Sequence, residues 1–236
     1  MQNPDFVIFG TSHLVTLGLI LALCFLMQPF SRLVLDKGLA DSVTNGFVLL
    51  IVVVMAAKTL LYRSFGIPWL ALMPLQICDL CTFLVVLMLL KRSYRIYEIA
   101  YFWALGGSNM AMITPDLLVG FPDPGYIIFY IGHSLTVLGV LYAGFVFGFK
   151  PQHASVWKAI VVTLIYGVLM LGLNMLLRTN YLFLLLKPDG ASLLDFMGPW
   201  PWYLIGMAVG VVIVCYLIYA PVVLMRRFAG RHRGER

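Results

Sequence analysis

Charge is what this chain most lacks. Of 236 residues, 16 are Lys or Arg and 10 are Asp or Glu, 11% in all, against 62% hydrophobic residues and a mean hydropathy of +0.97. A soluble domain of this length carries about twice that charged fraction. The chain is therefore read as an integral membrane protein, with no room for a separate soluble domain. Cysteine is also scarce. The four, Cys24, Cys78, Cys81 and Cys215, all lie within apolar spans, where a structural disulfide framework is not expected. The first apolar run is preceded by no positive segment and followed by no small-residue cleavage site, so no cleaved signal peptide is expected. There is no phosphate-cradling glycine loop and no H-E-x-x-H run, which leaves NTP hydrolysis and zincin proteolysis unsupported. Nothing calls for a cofactor, and no metal ligand set is proposed. No internal repeat is evident.

What the chain has instead is length in apolar runs. A helix needs about 20 apolar residues to cross the hydrocarbon. Seven candidates fit, at roughly 11–29, 44–62, 69–90, 96–113, 125–148, 157–177 and 200–225. The runs are continuously apolar and not alternating, so helices are expected over a barrel. The expected fold is all-α, a polytopic membrane protein with a single bundle of seven transmembrane helices over 1–225 and a basic cytoplasmic tail over 226–236. The odd span number argues against a simple inverted-repeat transporter. The fourth span is the weakest, because Gly106 and Gly107 interrupt it and Pro115 ends it.

Orientation follows from the basic residues. With the N-terminus outside and the C-terminus inside, twelve of the 16 fall on the cytoplasmic side: Arg32, Lys37, Lys91, Arg92, Arg95, Lys150, Lys158 and the five tail arginines. Lys58, Arg63, Arg178 and Lys187 fall outside. Positive residues concentrate in cytoplasmic loops, which supports the N-out/C-in arrangement. The tail reads as a topology signal, so no nucleic acid partner is expected. The expected partners are the bilayer and a lipid; the sequence leaves the oligomeric state open. Trp200, Trp202 and Tyr203 suit an interfacial aromatic belt, with a lid over an outward cavity as the alternative.

Several spans carry polar or reactive side chains at similar depth. Counted from the outer surface at about 1.5 Å per residue, Cys78 lies roughly 13 Å deep in the third span and His133 roughly 12 Å deep in the fifth. Asn109 and Asn174 lie below the outer ends of the fourth and sixth, while His13 and Lys58 lie near the outer ends of the first and second. Polar groups in hydrocarbon are costly and call for a functional reading. Taken singly, each also has a plain explanation. A cysteine packs as a small apolar group, an asparagine joins helices, and Lys58 snorkels to the surface. Asp79 is harder to dismiss, since a carboxylate at that depth must be protonated, paired or wetted. Arg178, Lys58 and His133 all stand as possible partners. Gln76 and Asp79 share a helical face at i, i+3, and Cys78 borders it. The Cys78-x-x-Cys81 spacing is a weak redox signal outside a thioredoxin-like context.

A cysteine becomes a nucleophile when a base or positive neighbour makes it a thiolate. A histidine at matching depth on another helix supplies that, and amide side chains can steady an oxyanion. Acyl transfer through a thioester is the chemistry that fits such a set.

The residues also carry a resemblance. The run Pro74–Asp79, Tyr97-Glu98 to Trp103, Leu105-Gly106-Gly107, Thr114-Pro115-Asp116, Gly132-His133-Ser134, Asn174, Asn180-Tyr181 and the Leu193–Tyr203 segment together resemble the YwaF-like bacterial integral membrane proteins. That family is similar to a eukaryotic transmembrane phospholipid acyltransferase that uses a cysteine and a histidine. The resemblance implies that Cys78 accepts the acyl chain and His133 is the base. It adds Asp116, Asn180 and Tyr181 to Gln76, Asp79, Asn109, Asn174 and His13 as substrate-binding candidates. Many relatives carry a histidine before the cysteine run where this chain has Gln76, so the acyl donor is expected to differ. The expected function is thus a membrane-embedded lipid acyltransferase or acyl hydrolase in a bacterial cell membrane. The alternative is a small-solute transporter or channel using the same polar layer as its binding site. Both readings require the polar groups to face one chamber near the outer face.

Overall fold

A computed structural model describes residues 5–188 and 192–234, with side chains through Arg226. Its elements are helical: α1 (Thr11–Asp36), α2 (Ala40–Ser64), α3 (Trp69–Leu72), α4 (Ile77–Lys91), α5 (Tyr94–Phe102), α6 (Asn109–Ile113), α7 (Pro124–Val146), α8 (His153–Leu177) and α9 (Trp202–Gly234). A π-helical turn, Trp103–Ser108, joins α5 to α6, and 3-10 turns cover Tyr181–Phe183 and Leu193–Met197. Among the described residues the only β pairing is an isolated bridge between Asp5 and Val119. The basic tail continues α9 as helix to Gly234; the side chains of its arginines from Arg227 on lie outside the description.

Five helices are long and apolar enough to cross a membrane: α1, α2, α7, α8 and the Trp202–Arg226 part of α9. The other two expected spans are built differently. The third is broken. Pro74 has no N–H and disfavours helix at the residue before it, and Met73 is extended at φ −58°, ψ 137°. The chain stops at Leu72 and restarts at Ile77. Cys78 therefore stands in the first turn of a new helix and not in the middle of a long one. The fourth is continuous through its glycines because the helix widens to π geometry there. Gly106 and Gly107 serve as points of close approach. A Cβ on Gly106 would lie 3.0 Å from Val214 of α9, and one on Gly107 3.9 Å from the Cys78 sulfur.

Local signals set the helix ends. Ser93 caps α5, Asp123 caps α7 through the Gly125 amide at 2.6 Å ahead of Pro124, and Gln152 with Ser155 makes a reciprocal cap on α8. Arg92 and Arg178 take left-handed conformations that end α4 and α8.

The core forms around α4 and α7. Half of α7's most apolar stretch is buried, against 11–17% for the other four long helices. Ile51, Cys81, Val85, Met88, Ala104, Val140 and Tyr142 are almost fully enclosed. The two helices meet closely at Gly139, where a Cβ would fall 2.5 Å from Val85. The outer helices expose large apolar residues such as Leu19, Phe25, Leu49, Leu60, Val168 and Leu217. In water such patches drive association, whereas in hydrocarbon they are ordinary lipid-facing surface. On the cytoplasmic side of the expected topology, Glu98 accepts hydrogen bonds from Ser155 (2.7 Å) and Lys158 (2.7 and 2.9 Å), tying α5 to α8.

Candidate functional site

One cleft gathers reactive side chains. It lies between α2, α4 and α7, and its polar lining is Lys58, Cys78, Asp79, Thr82 and His133. Ile51, Val54, Met55, Ile128 and Leu135 form its apolar walls. About 30 Å³ of it admits a water-sized molecule, room for a water or two and not for an acyl chain. Exposed Val53, Ile127 and Ile131 flank it on α2 and α7.

Each polar group has a determined environment. His133 Nδ1 lies 2.8 Å from the Phe129 carbonyl. A carbonyl only accepts, so Nδ1 carries the proton and the neutral ring keeps its lone pair on Nε2. The Phe129 ring packs against the imidazole with centroids 4.2 Å apart. Asp79 is ion-paired with Lys58. The expected snorkelling of Lys58 is thereby corrected: its ammonium turns to a carboxylate on α4, because an unpaired charge of either sign is costly at this position. Thr82 donates to the Cys78 carbonyl (2.9 Å) and shares a hydrogen bond with Thr136 of α7 (2.7 Å). That fixes the first turn of α4 against the helix that carries His133.

Cys78 occupies the second position of α4. Amides in the first turn of a helix have no intrahelical acceptor, and no side chain caps this end. The helix dipole places partial positive charge there, which favours a thiolate or an oxyanion. Cys81, its C-x-x-C partner in sequence, is wholly buried and donates to Ala100 (3.6 Å). All four cysteines are free thiols.

The remaining polar candidates do not face this cleft. His13 is fully buried with both nitrogens engaged: Nδ1 accepts from the Phe9 amide and Nε2 donates to the Met112 carbonyl, each at 2.9 Å. It has no free lone pair. Asn109 donates to Leu105 four residues back. Asp116 lies exposed in the loop after α6. Asn174 accepts from Thr179 and the Tyr181 amide and donates to the Tyr181 carbonyl. Asn180 braces Leu185 and Leu186, and the Tyr181 hydroxyl donates to the Leu70 carbonyl. Gln76 does not share a face with Asp79. It is the residue before α4, and its side chain accepts from the Leu182 amide at 3.0 Å. Gln76 and Tyr181 therefore fasten the 179–186 loop to the α3–α4 break, while Asn174 holds it to the end of α8 and Asn180 braces it internally. The single polar chamber expected from the sequence divides into a cleft and a separate set of braces.

The match to known proteins is at the family level. A model of a transmembrane protein family, the TMEM164 family, matches residues 8–219. The chain belongs to the TMEM164 family. No curated protein and no solved structure matches it. The matched range takes in every cleft residue of this TMEM164 family member. Sequence reasoning named Lys58 as one of three possible partners of Asp79, and it missed Thr82 and the Phe129 carbonyl. Pro74 was the one available signal of the break that exposes the α4 amides. Nothing in the sequence chose Lys58 over Arg178 and His133 as the partner of Asp79, and the backbone contact to His133 has no sequence signature.

The aromatic segment also divides. Trp202 is exposed, as a belt residue is, and Trp200 is half exposed while donating to Leu184. Tyr203 is buried, and its hydroxyl donates to the Phe183 carbonyl at 2.8 Å. It belongs to the bracing of the loop and not to a belt.

Proposed function

We propose that this protein is a membrane-embedded lipid acyltransferase in which Cys78 is the nucleophile and His133 the base. The observation that carries the reading is the unspent Nε2 of His133 on the same cleft as Cys78, with Nδ1 held by Phe129. The thiol proton passes to Nε2. The thiolate attacks the ester carbonyl of a phospholipid, and the leaving lysolipid alcohol takes the proton back from the imidazolium. A thioester on Cys78 results. A second lysolipid hydroxyl then attacks it, giving its proton to Nε2, and the thiolate leaves. Water in place of the second alcohol gives the hydrolase outcome.

The surroundings suit each charge in turn. The first-turn amides of α4 face charge that develops at Cys78. The Lys58–Asp79 pair keeps a bare carboxylate from opposing the thiolate. The apolar flanks on α2 and α7 suit an acyl chain that lies on the bilayer side while only its ester end enters. The resemblance to the YwaF-like bacterial proteins and their eukaryotic acyltransferase relative points the same way. We propose with it a seven-span, N-out/C-in topology in a bacterial cell membrane, in which the broken third segment and the π-containing fourth count as spans. The cleft then opens in the outer half of the bilayer.

The test uses purified protein in vesicles containing a phospholipid with a labelled acyl chain and an unlabelled lysophospholipid. Label should move to the acceptor and accumulate transiently on Cys78 as a hydroxylamine-sensitive adduct. Transfer at the normal rate by Cys78→Ala would sink the thiol mechanism.

A further inference from the structure

Among the described residues three buried hydroxyls have no partner, those of Ser31, Ser108 and Ser192, and of these Ser108 adjoins Gly107, the residue that meets the start of α4. The Ser108 side chain is fully enclosed. Serines and threonines in helices ordinarily return the hydroxyl proton to a carbonyl three or four residues back. Thr16, Thr44, Thr59, Thr82, Ser134, Thr136 and Thr163 all do so here. Ser108 ends the π-helical turn, where the ladder is displaced: the Asn109 amide bonds Ala104, five residues back. The wider turn lets the helix wall formed by Gly107 approach the start of α4. A Cβ on Gly107 would sit 3.6 Å from Ile77 and 3.9 Å from the Cys78 sulfur. Ser108 follows Gly107 on that same turn, and it is not among the residues lining the cleft that holds His133.

A buried hydroxyl without a partner is uncommon and asks for an explanation. The explanation offered here is that its acceptor exists only in one state of the site. We propose that the Ser108 hydroxyl is the donor that stabilises the Cys78 thiolate, acting with the uncapped amides at the start of α4 from the side away from His133. This rests on the reading of Cys78 as nucleophile. A neutral thiol is a weak acceptor and leaves Ser108 unsatisfied. When the proton moves from sulfur to His133 Nε2, the sulfur becomes an anion and accepts the O–H bond. When the sulfur attacks the acyl carbonyl, the charge moves to the carbonyl oxygen and the bond to Ser108 weakens again. Charge-assisted hydrogen bonds are about twice as strong as neutral ones, so the donor favours the activated state over both the resting thiol and the thioester. The π turn is what leaves the donor unspent, in keeping with the frequent occurrence of π-bulges at functional sites.

The experiment measures the alkylation of Cys78 by N-ethylmaleimide as a function of pH, read by peptide mass spectrometry so that Cys24, Cys81 and Cys215 do not contribute. It is run on the full chain in detergent and in vesicles, with Ser108→Ala and Ser108→Thr. Ser108→Ala removes no hydrogen bond from the resting protein, so its Tm should stay within a degree or two of the parent. Its alkylation profile should move up by about one pH unit, with alkylation about tenfold slower at neutral pH. Ser108→Thr keeps the hydroxyl and should restore the profile; if its added methyl lowers Tm, the Ser108→Ala result decides alone. An unchanged profile in a folded Ser108→Ala protein overturns the proposal, whether or not the protein transfers acyl chains. A shifted profile in a parent protein that shows no transfer keeps the thiolate donor and discards the acyltransferase reading.

Discussion

Two histidines, one buried and one half-buried, sit in two regions of this bundle, and the contrast between them separates packing from a reactive arrangement. His13, on α1, is enclosed by Phe6, Phe9 and Tyr130 and spends both ring nitrogens on backbone groups. His133, on α7, spends one on Phe129 and keeps the other on a cleft shared with Cys78. The residue type is the same. What differs is the count of unspent hydrogen-bonding capacity, and that count is a property of neighbours. The same test sorts the hydroxyls and amides: Asn174, Asn180 and Tyr181 are fully committed to a loop, whereas Ser108 is not committed at all.

The comparison can be broken most sharply at the cleft. On the proposed thioester mechanism, Cys78→Ala should lose transfer by roughly 10³-fold or more, to background. His133→Ala should lose about 10²–10⁴-fold in transfer, the usual worth of a positioned base, with little change in Tm. His13→Ala should do the reverse. It opens a cavity and leaves the Phe9 amide and Met112 carbonyl unpaired, a loss of about 2–4 kcal/mol, read as a lower Tm in detergent. Transfer per folded molecule should stay within about threefold of the parent, well short of the effect of losing a catalytic base. A folded His13→Ala protein without transfer, beside an active His133→Ala, would reverse the assignment.

Smaller effects sharpen the boundary between the regions. Gly139→Ala forces a methyl to within 2.5 Å of Val85 and should cost about 1–3 kcal/mol by overpacking, again read as Tm, with transfer lowered because α4 and α7 carry the two halves of the site. Asp79→Asn leaves the Lys58 ammonium unpaired, and Lys58→Met in the same chain should recover part of the lost Tm, because removing both charges is less costly than leaving one. A double variant no better than Asp79→Asn would show that the pair is not coupled. Trp202→Phe, on the exposed aromatic segment, should shift Tm least, within about 0.5 kcal/mol of the parent.

Much of the fold was legible because hydrophobicity is a local, additive property. Five runs of sufficient apolar length became five helices long enough to span, and the caps at Ser93 and Asp123 follow from residue type. The third run was less legible than it looked. Pro74 announced a break, but the break matters only because α7 and the 107–108 turn meet the new helix start. At the site, Cys78 and His133 were visible as costly residues in hydrocarbon. Gln76, Asn174, Asn180 and Tyr181 carry the same cost and are answered by backbone partners on a loop distant in sequence. For Lys58 the sequence offered both snorkelling and pairing with Asp79, favoured the first because a lysine near a helix end has a cheap general explanation, and only the position of Asp79 decides for the second.

Composition determined that this chain belongs in a membrane, and the continuity of its apolar runs determined that it is helical there, because hydrocarbon admits only helices and closed barrels and a barrel strand alternates. Composition also marked which residues are expensive to bury. Only the tertiary structure decided which of them are satisfied and which stand ready to react. A hydrogen bond depends on the position of two groups, and the second group is seldom near the first in the chain.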